Sequence, residues 1–268
     1  MKISVQTIVF NAENTLPKGM LEKNIEQWFG VADEVIIVEG ATRSIRQFDG
    51  DTSSFTSDGK STDNTREIIL SLASRHPGVV KVILGDGFWD GKTTMCNAAA
   101  NAATGDYLWQ VDSDEFYHEK DVPRILDLLD KEKPDAVHFA ANHFWGGWWT
   151  IMDKDQPWGN GMPWMRLFKN APGSHWASHE PPEYLCANGF PCNMGKVITR
   201  DQTDSMGIRM YHYSYVQKSQ IDFKAAFYRN GLYPVLWENW QRNNNTRVFG
   251  AVTSPFVGEH PACIKDYL

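Results

Sequence analysis

The chain has 268 residues, 42% of them hydrophobic, and a formal charge of −7, so it can bury a sizeable core without help from disulfides or a structural metal. No basic run or stripe is present to neutralise a phosphate backbone, which argues against nucleic acid and for small molecules or neutral polymers as partners. No window approaches the ~20 apolar residues of a membrane span, and the four irregularly spaced cysteines, Cys96, Cys186, Cys192 and Cys263, read as unpaired structural thiols in a reduced compartment.

The N-terminal MKISVQTIVFNAEN has one lysine and no small-residue cleavage site, and reads as a first strand, not a signal peptide. A cytoplasmic protein is the expectation. After ISVQTIVF (3–10) comes an amphipathic stretch from about Glu13 to Phe29, with Leu16, Met20, Ile25 and Trp28 at roughly helical spacing. EVIIVEG (34–40) is a short strand ended by glycine. A polar loop (41–62) leads to a helix that Asp63 can cap, carrying Ile68, Ile69 and Leu72. VVKVIL (79–84) is the third strand, an alanine-rich helix from about Lys92 to Ala103 should pack close to the sheet, and DYLWQVD (106–112) is the fourth strand. DVPRILDLLDKE (121–132) and DAVHFAA (135–141) add one further helix and strand.

Strands alternating with helices predict an α/β fold with a mainly parallel central sheet and helices on both faces. Ligands bind beyond the carboxyl ends of such strands. Glu39, after the second strand, and Asp112 with Asp114, after the fourth, should therefore converge on one crevice.

After about residue 142 the pattern turns irregular, with short strands at PWMRLFKN (163–170), GKVIT (195–199) and GIRMYHYSYV (207–216), then a helix from about Lys218 to Arg229. Residues 231–268 show few periodic signals. We read one domain over 1–268, with a nucleotide-type half to about 118, a second half over about 119–230, and a C-terminal extension. Six of the 11 tryptophans (Trp145, Trp148, Trp149, Trp158, Trp164, Trp176) stand among Gly, Asn, Asp and Pro, which suits the walls of a polar cleft at least as well as a core.

The VDSDE segment concentrates the chemistry. On an extended backbone Asp112 and Asp114 project to the same side, and two carboxylates so close resist joint ionisation unless a cation sits beside them. Mg²⁺ and Mn²⁺ take oxygen ligands, commonly one or two carboxylates plus substrate phosphates. The competing reading is that DSDE opens a helix, with Asp114 or Glu115 as its cap. GDGFWDGKTT (85–94) lacks the glycine spacing of a phosphate-binding loop, and Pro181-Pro182 rules out a zinc helix at HWASHE (175–180).

QTIVFNAENTL, DEVIIVEG, STDNT and GDYLWQVDSDE, in that order, together resemble glycosyltransferase family 2, inverting enzymes of the GT-A fold. The resemblance is clearest over about 3–118 and continues weakly through RLFKNAPGSHWASHEPPE (166–183) and YHYSYV (211–216). It implies a Rossmann-like nucleotide-binding half, an irregular acceptor half, and transfer of sugar from a nucleotide-sugar, UDP-linked in the first instance, to a glycan, lipid-linked or protein acceptor. By position, it places Thr7 and Asn11 at the nucleoside, Glu39 at the base, Lys92 at the diphosphate and Asp112 at the ribose or metal. Asp114 becomes the principal ligand of Mn²⁺ or Mg²⁺, with His212 completing the coordination. Glu180 becomes the base and Glu183 its reserve. The family has aspartate where this chain has Glu39, and a short turn where this chain inserts about fifteen residues. Two other functions remain open on sequence: a nucleotidyltransferase acting on sugar phosphates, and a non-catalytic carbohydrate-binding module.

Overall fold

The computed structural model describes residues 1–43, 55–152, 163–243, 248 and 252–268. Trp158 and half of the 41–62 loop lie outside the described residues. The first half runs β1 (Ile3–Val9), α1 (Ala12–Thr15), α2 (Met20–Glu26), β2 (Glu34–Glu39), α3 (Thr65–Arg75), β3 (Val80–Leu84), α4 (Lys92–Ala102) and β4 (Tyr107–Gln110). The second runs β5 (Glu115–Tyr117), α5 (Val122–Glu132), β6 (Ala136–Trp145), β7 (Thr150–Met152), β8 (Trp164–Lys169), β9 (His175–Ser178), β10 (Glu183–Leu185), β11 (Val197–Ile198), α6 (Arg200–Ser205), β12 (Arg209–Tyr215), α7 (Lys218–Phe227), α8 (Leu232–Arg242) and β13 (Thr253–Pro255).

β3, β2, β1 and β4 lie side by side and parallel, as the alternation predicts. β8 then joins β4 antiparallel, and β6, β7 and β13 extend the sheet. Val9 pairs with Glu39 and Gln6 with Gln110, which brings the carboxyl ends of β1, β2 and β4 to one edge. Helices cover both faces because side chains alternate along each strand. Val5 and Val9 of β1 and Ile37 of β2 pack with Met20, Leu21, Ile25 and Trp28 of the α2 segment. Ile36 and Val38 point the other way, onto Met95 and Ala99 of α4, whose small side chains let that helix approach closely. Each such buried Val, Leu, Ile or Met side chain contributes about 1.5–3 kcal/mol.

At the opposite end of the sheet from the crevice, the buried Glu34 carboxylate accepts from Ser4 Oγ and from the Thr104 N–H, both at 2.5 Å, and pairs with Lys81. One side chain thus ties together β1, β2, β3 and the turn into β4.

Several expectations are corrected. The helix expected over Glu13–Phe29 splits in two: Pro17 disfavours helical geometry at Leu16, which is extended (φ −95°, ψ 162°). α8 lies within the supposedly aperiodic tail. Its Trp237 and Trp240 pack with Trp145, Met152 and Ile221, residues distant in sequence. Of the tryptophans that suited a cleft or a core, Trp145 and Trp176 are fully buried core, Trp148 and Trp164 are half-buried, and Trp149 is exposed.

Cys186 and Cys192 form a disulfide, contrary to the expectation of four unpaired thiols. A tight turn, closed by the Cys186 N–H to the Phe190 carbonyl at 2.8 Å, brings their Cα atoms to 5.7 Å, within bonding reach. Cys96 and Cys263 are free. The reduced compartment inferred from unpaired cysteines thereby loses its premise. Among the described residues, no helix is long and apolar enough to cross a membrane.

Candidate active site

β4 stops at Gln110, and residues 112–115 form a turn in which the Asp112 carbonyl accepts the Glu115 N–H at 2.9 Å. The same-side placement expected of Asp112 and Asp114 required an extended backbone, so it does not carry over to this turn. Neither does DSDE open a helix, because Glu115 begins β5, which pairs antiparallel with β12. α2 holds the turn from outside: Asn24 Nδ2 donates to the carbonyls of Glu115 (2.7 Å) and Asp112 (3.2 Å).

The two aspartates have different partners. Arg166 reaches in from β8, donating through Nε to Glu115 Oε2 at 2.8 Å and through Nη2 to Asp112 Oδ2 at 3.0 Å. Glu115 has no exposure and Arg166 almost none, so the fork ties a buried ion pair to the partly exposed Asp112 and fixes the turn. Burial alone would raise the Asp112 pKa, but the charges of Arg166 and His179 outweigh it and hold that carboxyl below its ordinary value.

Asp114 faces β12. Its Oδ1 lies 3.5 Å from His212 Nε2, and its carbonyl accepts the Tyr213 N–H at 2.8 Å. His212 is fixed from behind by His143, the two Nδ1 atoms being 3.1 Å apart. Burial opposes ionisation of Asp114, yet His212, Lys224 and Ser214 together hold its carboxyl far below the usual range. A carboxylate oxygen beside an imidazole nitrogen is a donor set suited to Mn²⁺, with substrate phosphates filling the remaining positions. Asp114 and His212 therefore fit a divalent ion. Asp112, expected as a third ligand, directs its Oδ2 to Arg166 instead of towards His212. Among the described residues, no group of three or more His, Cys, Asp or Glu side chains could hold a metal.

The loop carrying the candidate bases returns to this edge of the sheet. His179 Nε2 is 3.1 Å from Gln110 Nε2, and the His179 N–H donates to Thr93 Oγ1 of α4 at 3.2 Å. These contacts bring Glu180 beside Lys92, at 3.7 Å. Glu183 instead begins β10, opposite Ser178.

At the nucleoside end, Glu39 is fully buried with both carboxylate oxygens engaged: Ser61 N–H at 2.7 Å and Arg66 Nε at 2.9 Å. It holds the STDNT loop from the carboxyl end of β2, where the resemblance expects a contact with a base. Asn11 Oδ1 likewise accepts the Thr62 N–H at 2.7 Å. Thr7 is buried within β1, and its Oγ1 has no hydrogen-bond partner among the described residues. Asp63 accepts from Thr65 N–H at 3.0 Å and Asn14 N–H at 2.8 Å, so it joins the start of α3 to α1, while the N-cap position of α3 itself falls to Asn64.

The model of the family described as glycosyl transferase family 2 matches residues 4–180, two thirds of the chain. The chain belongs to glycosyltransferase family 2. The matched span runs from β1 to Glu180 and includes the Asp112–Asp114 turn and Arg166. No curated protein matches the chain. Among solved structures, residues 1–349 of S. aureus TarS are similar at 18% identity and TM-score 0.41, over 63% of this chain and 47% of that one. The mannosyltransferase PcManGT from Pyrobaculum calidifontis, in complex with GDP-Man and Mn²⁺, is similar at 18% identity and TM-score 0.38, over 52% of this chain and 35% of that one. Glucosyl-3-phosphoglycerate synthase from Mycobacterium tuberculosis, in complex with Mn²⁺, UDP and glucosyl-3-phosphoglycerate, is similar at 21% identity and TM-score 0.34, over 51% of this chain and 42% of that one. In each case the chain spans less than half of the neighbour's length.

Several residues of this family 2 site were not singled out from sequence. Arg166 sits in an ordinary apolar strand pattern, RLFK, and only the lone charge between buried neighbours hinted at it. Asn24 and His143 gave no signal.

Proposed function

We propose that the protein is a metal-dependent, inverting glycosyltransferase that moves a sugar from a nucleotide-sugar, first of all a UDP-sugar, to a hydroxyl of a glycan, lipid-linked or protein acceptor. The observation that carries this reading is the Asp114–His212 pair at the carboxyl end of β4 in a family 2 chain. Those two side chains would hold a divalent ion, which would supply positive charge for a departing diphosphate. Glu180 takes the proton of the acceptor hydroxyl as that oxygen attacks the anomeric carbon from the face opposite the diphosphate. We assign Glu180 over Glu183 because Glu180 stands beside Lys92, where the loop meets α4, whereas Glu183 belongs to the β9–β10 hairpin. Arg166 sets the Asp112–Glu115 turn on which Asp114 depends, and Thr7 and Asn11 line the nucleoside end.

The test is a panel of nucleotide-sugars incubated with the protein in Mn²⁺ or in EDTA, following release of nucleoside diphosphate, because slow donor hydrolysis requires no acceptor. Metal-dependent hydrolysis of one donor is expected. If no donor is hydrolysed and no nucleoside diphosphate binds, the proposal is wrong. Oligosaccharide binding without nucleotide binding would favour a carbohydrate-binding module.

A further inference from the structure

This inference rests on the proposed sugar transfer and concerns α7, a helix of the second half of the chain. Its first turn is locked to the end of β12 by Gln220, whose Oε1 accepts the N–H groups of Val216 (2.9 Å) and Gln217 (3.0 Å) and whose Nε2 donates to the Tyr213 carbonyl at 2.7 Å. Midway along, the Phe223 ring meets Phe55, in the loop after β2, at 5.6 Å. At the far end, Phe227 and Tyr228 pack on the ammonium of Lys92, which opens α4 after β3, at 5.9 and 5.7 Å. α7 also contacts α1, which follows β1. The helix thus crosses the loops that follow β1, β2 and β3, and roofs the ligand edge of the sheet.

Lys224 is half-buried on this roof. Its Nζ lies 5.2 Å from the centroid of the Tyr215 ring, three residues along β12 from His212. Its charge reaches both Asp114 and His143. The other lysine of α7, Lys218, is closed off by Asp222 at 2.6 Å, whereas no ion pair among the described residues includes Lys224. A half-buried ammonium with no carboxylate in direct contact is costly to keep, and an anion arriving beside Asp114 would supply that contact. The anion that sugar transfer brings there is a diphosphate.

We propose that Lys224 binds the diphosphate of the nucleotide-sugar from the roof of the crevice. During transfer, the bond between the anomeric carbon and the diphosphate oxygen breaks, and its electron pair stays on that oxygen. The acceptor oxygen bonds to the anomeric carbon, and its proton passes to Glu180. Lys224 stabilises the charge that grows on the leaving oxygen through a charge-assisted hydrogen bond.

The experiment is calorimetric titration of the full chain, in Mn²⁺ and in EDTA, with UDP against uridine and GDP against guanosine. Lys224→Met should weaken the nucleoside diphosphate by about tenfold to a hundredfold, the worth of a hydrogen bond to a charged group, and leave the nucleoside unchanged. Unchanged nucleoside binding also reports that the roof remains folded. Lys224→Arg should keep diphosphate affinity within a few-fold of wild type. An unaltered preference for diphosphate in Lys224→Met, equal losses in both variants, or parallel loss of nucleoside would each overturn the assignment. Failure of the wild type to bind any of the four ligands would instead overturn the nucleotide-sugar reading itself.

Discussion

Arg166→Met removes the guanidinium that Glu115 and Asp112 share, and leaves a carboxylate with no exposure facing a thioether. Breaking a buried ion pair on one side costs about 3–5 kcal/mol, because the surviving charge stays desolvated and unpaired. Against the roughly 5–15 kcal/mol that hold a domain together, this is about a fifth of the total or more. Urea unfolding followed by tryptophan fluorescence is a suitable assay, since Trp28 and Trp109 are buried against each other at 4.7 Å. The double variant Glu115→Gln with Arg166→Met should recover at least about 1 kcal/mol relative to Arg166→Met alone, the sign of a directly coupled pair. Arg166→Lys should recover little, because a point charge cannot reproduce the fork that spans both carboxylates. A loss under about 1 kcal/mol for Arg166→Met, or strictly additive effects in the cycle, would refute the view that this triad holds the turn.

Three further outcomes are expected. Asp114→Ala should abolish the Mn²⁺-dependent part of nucleoside diphosphate binding, and unchanged affinity in Mn²⁺ would remove Asp114 as a ligand. Glu180→Gln should keep donor binding and cut turnover by about 10²–10⁴, the usual worth of a general base; normal turnover would move the role to Glu183. Burial pushes the imidazole of His260, 2.8 Å from the Tyr213 hydroxyl, down to about 4 from its ordinary 6.5. The unfolded chain therefore takes up this proton first, so the stability His260 contributes is whole above pH 6.5 and is lost as pH falls towards 4. Urea midpoints between those pH values should fall more gently in His260→Gln, and identical slopes would contradict this.

Periodicity and turn residues located the β1 to β4 framework, α3 to α5 and the ligand edge, because strand and helix burial repeat locally at two and at 3.6 residues. Where a local signal competed with the pattern, it won: Pro17 broke one helix, and the turn at 112–115 ended β4 before the second aspartate. The disulfide was missed because a six-residue separation between Cys186 and Cys192 carries no sign of the hairpin that joins them.

The sequence by itself determined an α/β chain with Asp112 and Asp114 at the mouth of the sheet, and the ordered motifs that mark its family. Only the tertiary structure decided what each carboxylate faces. Arg166 is 51 residues from Glu115, and His212 and Lys224 are farther still from Asp114. These pairings depend on where β8, β12 and α7 cross the end of the sheet. Hydrophobic periodicity records which face of an element is buried, but not which distant element brings its polar side chains to that face.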